Sequence, residues 1–151
     1  MTVCATASPQ SAAWQSVLDR HTDLFSDTAQ GASVALLPRF VRGADGRQRS
    51  TVMPVSDGVP MLLWLREPGA MYARDAEFRG LKGLVSDLLL IAGDGTLDAA
   101  LRHEHPFGEL KRQLRSGQML FMVMRTRDEL RERGWSDFIE SLGLPFLGTC
   151  R

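Results

Sequence analysis

The sequence lacks the cysteine arrangements that support a disulfide framework or a thiolate metal site. Its two cysteines, Cys4 and Cys150, lie almost at opposite ends of a chain of 151 residues. Disulfide-rich secreted domains and structural zinc sites both need several cysteines or histidines at short, regular spacings. We therefore expect two free thiols in a reducing compartment. A bridge that joins the two ends of the chain stays open as the alternative.

Net charge, targeting signals and membrane-length apolar runs are also missing. Eighteen basic residues balance eighteen acidic ones, which argues mildly against a protein that grips the nucleic-acid backbone. The first ten residues, MTVCATASPQ, contain no basic start followed by an apolar run. No stretch approaches the ~20 apolar residues that cross a bilayer. We expect a cytoplasmic protein without a membrane role, and the preference for Arg over Lys suggests a bacterial source.

The motifs of common catalytic sites are absent from the sequence. It contains no G-x-S-x-G, S-x-x-K or P-loop pattern, and no H-E-x-x-H. The segments RGADGR (42–47) and AGDGTL (92–97) have glycines without the G-x-G-x-x-G spacing of dinucleotide sites. Nucleotide binding and nucleophilic hydrolysis therefore gain no support, and no cofactor is expected.

The first half of the chain predicts one helix and an antiparallel meander. Apolar residues repeat at helical spacing over 8–26, with Ser8 and Pro9 suited to the helix start. Three apolar segments then follow, separated by turn signals at Asp45-Gly46 and Asp57-Gly58. We expect strands in ASVALLPRFV (32–41), RSTVMPV (49–55) and VPMLLWLRE (59–67).

The second half predicts helices around one more strand. After a loop at 68–74, apolar residues at helical spacing favour a long helix from Asp75 to Ala92, closed by Gly93. Two short helices (96–102 and 106–116), a strand (118–126) and a last helix to Leu142 follow, the last one opened by a Thr126–Glu129 capping box.

This order of elements predicts a single α+β domain over residues 1–151. Its sheet is expected to be mostly antiparallel, with about four strands formed by the meander and the one later strand. The N-terminal, central and C-terminal helices are expected to cover that sheet.

The segment LRHEHPFGEL (101–110) is the best candidate for chemistry. His103, Glu104 and His105 are the candidate catalytic residues, and His103, His105, Asp94 and Glu109 the candidate ligands of a divalent metal. The competing interpretation is a solvated corner between two helices, because Pro106 can start a helix directly after the pair. We favour the corner.

Arginines crowd the first hairpin, where Arg42, Arg47 and Arg49 could contact nucleic acid or another anion. The same charges can instead protect an exposed strand edge from aggregation, and we favour that interpretation. The mixed charges at 125–133 are typical of a salt-bridged helix face.

Large apolar groups near loops, helix starts and the C-terminal segment indicate a protein interface. The candidates are Trp64, Tyr72, Trp135, Leu144 and Phe146. The methionines of the last strand, Met119, Met122 and Met124, are interpreted as core filling, although an outward-facing Met could serve an adaptable interface.

The leading functional hypothesis is therefore a small non-enzymatic interaction or regulatory protein. It would bind another macromolecule, as an inhibitor, immunity, chaperone-like or mobile-element accessory protein does, and would form a homodimer. The alternative is a divalent-metal-dependent hydrolase or nuclease that uses the His103 and His105 region. Nucleic-acid binding through the Arg42–Arg49 hairpin is a weaker alternative.

Overall fold

The structure is a computed structural model that describes residues 9–42, 46–50, 59–80, 84–93 and 95–143. Within these ranges the chain forms five α-helices, one short 3-10 helix (Thr22–Phe25) and seven strands. The helices are α1 (Pro9–Arg20), α2 (Thr96–Arg102), α3 (Pro106–Ser116), α4 (Arg127–Glu132) and α5 (Ser136–Ser141). The strands are β1 (Ser33–Pro38), β2 (Phe40–Arg42), β3 (Gln48–Ser50), β4 (Val59–Glu67), β5 (Ala70–Phe78), β6 (Leu88–Ala92) and β7 (Met119–Val123).

The α+β class is confirmed, with a mixed sheet of five strands in the order β5-β4-β1-β6-β7. Strands β5, β4 and β1 are antiparallel neighbours, and so are β6 and β7. The parallel pair β1 and β6 joins these two groups at the centre of the sheet. A mostly antiparallel sheet was expected, although with about four strands.

The predicted hairpin around Gly46 forms, but it stands outside the main sheet. Strands β2 and β3 pair with each other as a separate two-stranded sheet, with Phe40 opposite Ser50. Strand β1 pairs instead with β4, so the antiparallel run in the main sheet is β1, β4 and β5. The sequence spacing alone does not distinguish these two ways of folding the meander.

The long helix predicted from Asp75 to Ala92 is wrong. Asp75 lies within β5, and Leu88–Ala92 forms β6. Every residue of β6 is buried, so both faces of this inner strand are shielded from solvent. A strand buried on both faces is a continuous apolar run, which also satisfies a helical pattern. Gly93 follows a strand, and a Cβ there would lie 2.9 Å from the carbonyl oxygen of Gln118.

The two faces of the sheet carry different apolar clusters. The larger cluster joins the sheet to the helices and contains Trp14, Trp64 and Trp135, all completely buried. The smaller cluster holds alternate residues of the same strands, such as Leu37 and Leu89. None of its members comes from the five described helices, so within the described chain the helices lie on one face.

Local signals at helix ends are confirmed in the C-terminal half. Pro106 is the first residue of α3, and Gly117 ends that helix with φ of 83°. The Thr126 hydroxyl accepts from the Glu129 N–H, and the Glu129 carboxylate accepts from the Thr126 N–H, which is the predicted capping box. The single last helix was wrong, because Gly134 divides it into α4 and α5 with φ of 82°.

None of the helices in the described ranges has the length and apolarity that a membrane span requires. Cys4 and Cys150 lie outside the described residues.

Candidate functional site

The histidine segment forms the expected corner between α2 and α3. His103 follows the last residue of α2 with extended backbone, and His105 precedes the first residue of α3. The side chains of His103, Glu104 and His105 are all exposed. The His105 N–H donates to His103 Nδ1 at 2.9 Å, and the two ring centroids are 6.3 Å apart. This hydrogen bond closes the corner and occupies Nδ1 of the His103 ring.

Glu109 is buried one turn into α3, and both of its carboxylate oxygens are bound. Arg112 donates from Nε to Oε1 at 2.9 Å and from Nη2 to Oε2 at 2.6 Å. Gln113 adds a bond to Oε2 at 3.2 Å and also donates to the Thr96 carbonyl, which ties α3 to the start of α2. The hydrogen bonds from Arg112, more than the opposing effect of burial, lower the pKa of Glu109 to about 2. Glu109 is therefore an ionised anchor for the helix pair.

The structure places the proposed metal ligands only partly together. His103 lies near enough to Glu109 for its charge to contribute to the lowered pKa of that carboxyl. Asp94 lies outside the described residues. Over the described ranges, no group of three or more His, Cys, Asp or Glu residues is arranged to hold a metal ion. Metal binding at this corner stays a prediction.

The arginine hairpin is present as a two-stranded ribbon. Arg42 pairs in register with Gln48, and Arg49 pairs with Val41. Arg47 is exposed between the strands and takes part in contacts of its own. Anion or nucleic-acid binding by these residues stays a prediction.

Two of the proposed interface residues are corrected, because Trp64 and Trp135 belong to the core. Both side chains are completely buried, and the ring of Trp64 lies 5.2 Å from that of Trp14. Large aromatic residues on strands and helices bury more apolar area than any other side chains, so a core of this size recruits them. Tyr72 is 38% exposed on β5. Leu144 and Phe146 lie outside the described residues.

The sequence analysis did not identify Asp87, which is the most deeply buried carboxylate in the described chain. Its side chain is 1% exposed and lies just before β6. Arg125 Nε donates to Oδ1 at 2.9 Å, Arg133 Nε to Oδ2 at 2.8 Å, and Trp135 Nε1 to Oδ2 at 2.9 Å. Burial favours a raised pKa for Asp87, but hydrogen bonds from Arg133, Trp135 and Arg125 outweigh it, and the pKa lies below its usual value.

Asp87 also fixes the end of β7 through its backbone. The Met124 N–H donates to the Asp87 carbonyl at 2.8 Å, directly after the last residue of β7. Arg125, the next residue, contacts the Asp87 carboxylate. The carboxyl end of β7 is thus held to Asp87, the residue before β6, by one main-chain hydrogen bond and one ion pair.

The two edge strands of the main sheet differ in charge. Strand β5 carries Arg74 and Glu77, which form ion pairs with Glu67 and Arg79. Strand β7, with the sequence MLFMV, has no charged residue and no proline. Its Leu120 is 40% exposed and its Val123 is 41% exposed. We name Met119–Val123 the β7 edge.

Comparisons with known proteins identify no relative in sequence. No protein-family model and no curated protein matches the chain. Among solved structures, the chain is similar to the solution structure of a conserved hypothetical protein from Thermus thermophilus, for which sterol carrier protein has been suggested as an identity. The match has 12% identity and a TM-score of 0.45, and covers 94% of this chain and 90% of the other. A likeness at this level carries no information about function.

Proposed function

We propose that this chain is a non-catalytic interaction protein that pairs its β7 edge with the same strand of a second copy. The observation that carries this proposal is the uncharged, partly exposed edge strand Met119–Val123. A regulatory role, a cytoplasmic location and a bacterial source belong to the same proposal. The homodimer is its first testable consequence.

The outer side of an edge strand presents backbone N–H and C=O groups that can pair with another strand. Natural proteins usually protect such edges with charged residues, proline or a bulge. Strand β5 follows this rule, since Arg74 and Glu77 project charge along it. The β7 edge does not, and β6 is its one strand neighbour in the described chain. An edge strand that lacks charged residues and proline in its own sequence is expected where the strand pairs with a partner.

A second copy is the partner that best fits this edge. Two copies of β7 can pair antiparallel around a two-fold axis, which joins the two five-stranded sheets into one. No like charges would oppose each other, because MLFMV contains none. The exposed Leu120 and Val123 would gain cross-strand apolar neighbours. Half-buried Met122 offers an adaptable side chain beside them.

Sedimentation velocity over a range of protein concentrations tests this proposal. We expect wild type to form dimers, and Leu120→Lys and Val123→Lys to shift the chain to monomer by weakening dimerisation at least about tenfold, since each places a cation in the apolar pairing surface. Both positions are already exposed, so the variants should stay folded within about 1 kcal/mol of wild type. Circular dichroism checks the fold.

Tyr72→Lys is the matched control, because Tyr72 is similarly exposed on the opposite edge strand. It should dimerise like wild type. Dissociation by Tyr72→Lys alone would place the interface on β5, and a wild-type chain that stays monomeric at all concentrations would overturn the proposal. Within the described residues, neither the metal-dependent hydrolase nor nucleic-acid binding gains a supporting observation.

A further inference from the structure

A cleft opens at the carboxyl ends of the parallel strands β1 and β6. It has a volume of about 720 Å³. Pro38 and Ala92, the last residues of the two strands, line it together with residues of α1, α2, β4 and β5. Its volume falls within the range of roughly 300–1,000 Å³ that small-molecule sites occupy. No residue of the β7 edge lines it, so this cleft is independent of the proposed dimer.

The walls of the cleft are mainly apolar. Leu36 and Leu62 come from the helix-covered face of the sheet, and Leu97 and Leu101 from α2. Leu97 and Leu101 are spaced four apart, so they lie on the same side of α2 and form one wall. Gly93 and Gly95 contribute backbone without side chains. An apolar ligand body can therefore be enclosed between the helix and the end of the sheet.

The charged residues that line the cleft, as far as the chain is described, are both acidic. Asp75 stands opposite Leu62 in the β4–β5 register, which places it on the same face of the sheet as that core residue. The Ser11 hydroxyl of α1 donates to Asp75 Oδ2 at 3.3 Å. Asp98 is exposed on α2, one position after Leu97.

We infer that this cleft binds a small amphipathic cation, an apolar body that carries an ammonium group. The apolar walls bury the body, and the exposed Asp98 carboxylate attracts the cationic head. Asp75, which the Ser11 hydroxyl contacts, adds to the acidic lining. Carboxylates beside low-dielectric walls concentrate the field at the opening, which favours cations and repels anions of the same shape. An ammonium group also supplies the N–H donors that carboxylate oxygens accept.

Isothermal titration calorimetry with three probes of equal chain length tests this inference. The probes are n-octylammonium, n-octanol and n-octanoate, each added to the full chain near neutral pH and below its aggregation concentration. We expect n-octylammonium to bind most tightly and n-octanoate most weakly. The difference should shrink as salt is added, because an exposed carboxylate such as Asp98 is screened by ions.

Two substitutions assign the charge effect to the cleft. Asp98→Asn and Asp75→Asn should each weaken n-octylammonium binding by about three- to tenfold and leave n-octanol binding unchanged, as expected for one partly solvated charge interaction. Asp98→Asn stays informative if Asp75→Asn disturbs the contact with Ser11. Asp137→Asn, an exposed aspartate on α5, is the control and should bind like wild type.

Three results would overturn the inference. The first is that wild type binds none of the probes. The second is that n-octanoate binds as tightly as n-octylammonium, which would mean that the carboxylates have no influence. The third is that Asp98→Asn and Asp75→Asn both leave n-octylammonium affinity unchanged, which would place the probe elsewhere. The Leu120→Lys variant should keep n-octylammonium binding, so failure of the dimer and failure of the cleft are distinguishable.

Discussion

Replacing Asp87 by asparagine should cause a large loss of stability. The substitution keeps the shape of the side chain and removes its charge from between Arg125 and Arg133. It also leaves one acceptor oxygen where the carboxylate had two, and puts an amide NH2 against a hydrogen-bond donor. In the wild-type chain, the three residues that donate to Asp87 lie 38, 46 and 48 positions away in the sequence. The change therefore weakens contacts that join distant parts of the fold.

The magnitude follows from the burial of the partners. Removing one member of a buried ion pair costs about 3–5 kcal/mol. The side chains of Arg125 and Arg133 are 35% and 31% exposed, so water can replace part of the hydrogen bonding that they lose with the carboxylate. An asparagine oxygen in the Oδ2 position can also keep two of the three hydrogen bonds, those from Arg133 and Trp135. We therefore expect the lower end, a decrease of about 3 kcal/mol in the free energy of unfolding. For a chain of this length that lowers Tm by roughly 6–12 °C.

Urea unfolding followed by tryptophan fluorescence measures this change. All three tryptophans are completely buried, so the emission should report loss of the core. We expect a midpoint lower by about 1.5 M with an unchanged slope, for a slope of about 2 kcal/mol/M. Asp128→Asn is the matched control, because Asp128 is 79% exposed and lies 3.5 Å from Arg131. It should change stability by less than about 0.5 kcal/mol.

The pH dependence gives an independent check. The pKa of Asp87 is lower in the folded chain than its usual 3.8. Its contribution is therefore complete above pH 3.8 and is lost as the pH falls through the folded value. The gap between wild type and Asp87→Asn should shrink in that acidic range. A loss below about 1 kcal/mol at neutral pH, with unchanged slope, would refute the role assigned to Asp87.

Two further predictions concern α3 and the break between α4 and α5. Arg112 lowers the pKa of Glu109 from 4.5 to about 2. The stability advantage of wild type over Glu109→Gln should therefore persist above pH 4.5 and disappear as the pH falls to about 2. A difference in Tm between the two proteins that stays constant over this range would contradict the prediction. Gly134→Ala should cost about 3 kcal/mol or more in urea unfolding, because its Cβ would lie 1.9 Å from the Asp27 carbonyl oxygen at a φ of +82°. Gly117→Ala, with φ of +83° and nothing within 4 Å, should cost only about 1–2 kcal/mol; equal losses for the two would exclude the steric effect.

The elements that the sequence predicted correctly carry local signals. Pro106 and Gly117 mark the two ends of α3, and Thr126 with Glu129 opens α4. These signals act within one helical turn, where the chain determines its own hydrogen bonds. The apolar run Met119–Val123 is likewise a strand. Short-range chemistry is sufficient to predict such elements.

The error over 75–92 shows where local signals fail. Residues 68–74 were expected to form a loop, but Pro68-Gly69 is instead a two-residue turn between Glu67 and Ala70. The Pro-Gly pair is a turn signal that could have predicted the β4–β5 hairpin. The apolar run Leu88–Ala92 fits both a helix and a central strand. Only its pairing with β1, more than fifty positions earlier in the sequence, decides between them.

The candidate sites divide in the same way. The His103–His105 corner was predicted as a corner because Pro106 is adjacent to it. The role of Asp87 depends on three partners that are distant in sequence, so no spacing rule could find it. The charged residues at 125–133 were expected to pair along one helix face. Arg131 does pair with Asp128 along α4, whereas Arg125 and Arg133 pair with the distant Asp87.

The Asp87 contacts also bear on the proposed dimer. An edge strand pairs with a partner at lower entropic cost when it is already rigid. Asp87 holds the carboxyl end of β7 through the Met124 N–H and the Arg125 side chain. Loss of its carboxylate should therefore loosen the same strand whose outer edge we propose as the dimer interface. Under conditions in which Asp87→Asn remains folded, its dimer should be weaker than that of wild type, even though the substituted side chain is buried away from the edge. Equal dimer affinity in the two proteins would show that the Asp87 contacts stabilise the fold without affecting the pairing of the β7 edge.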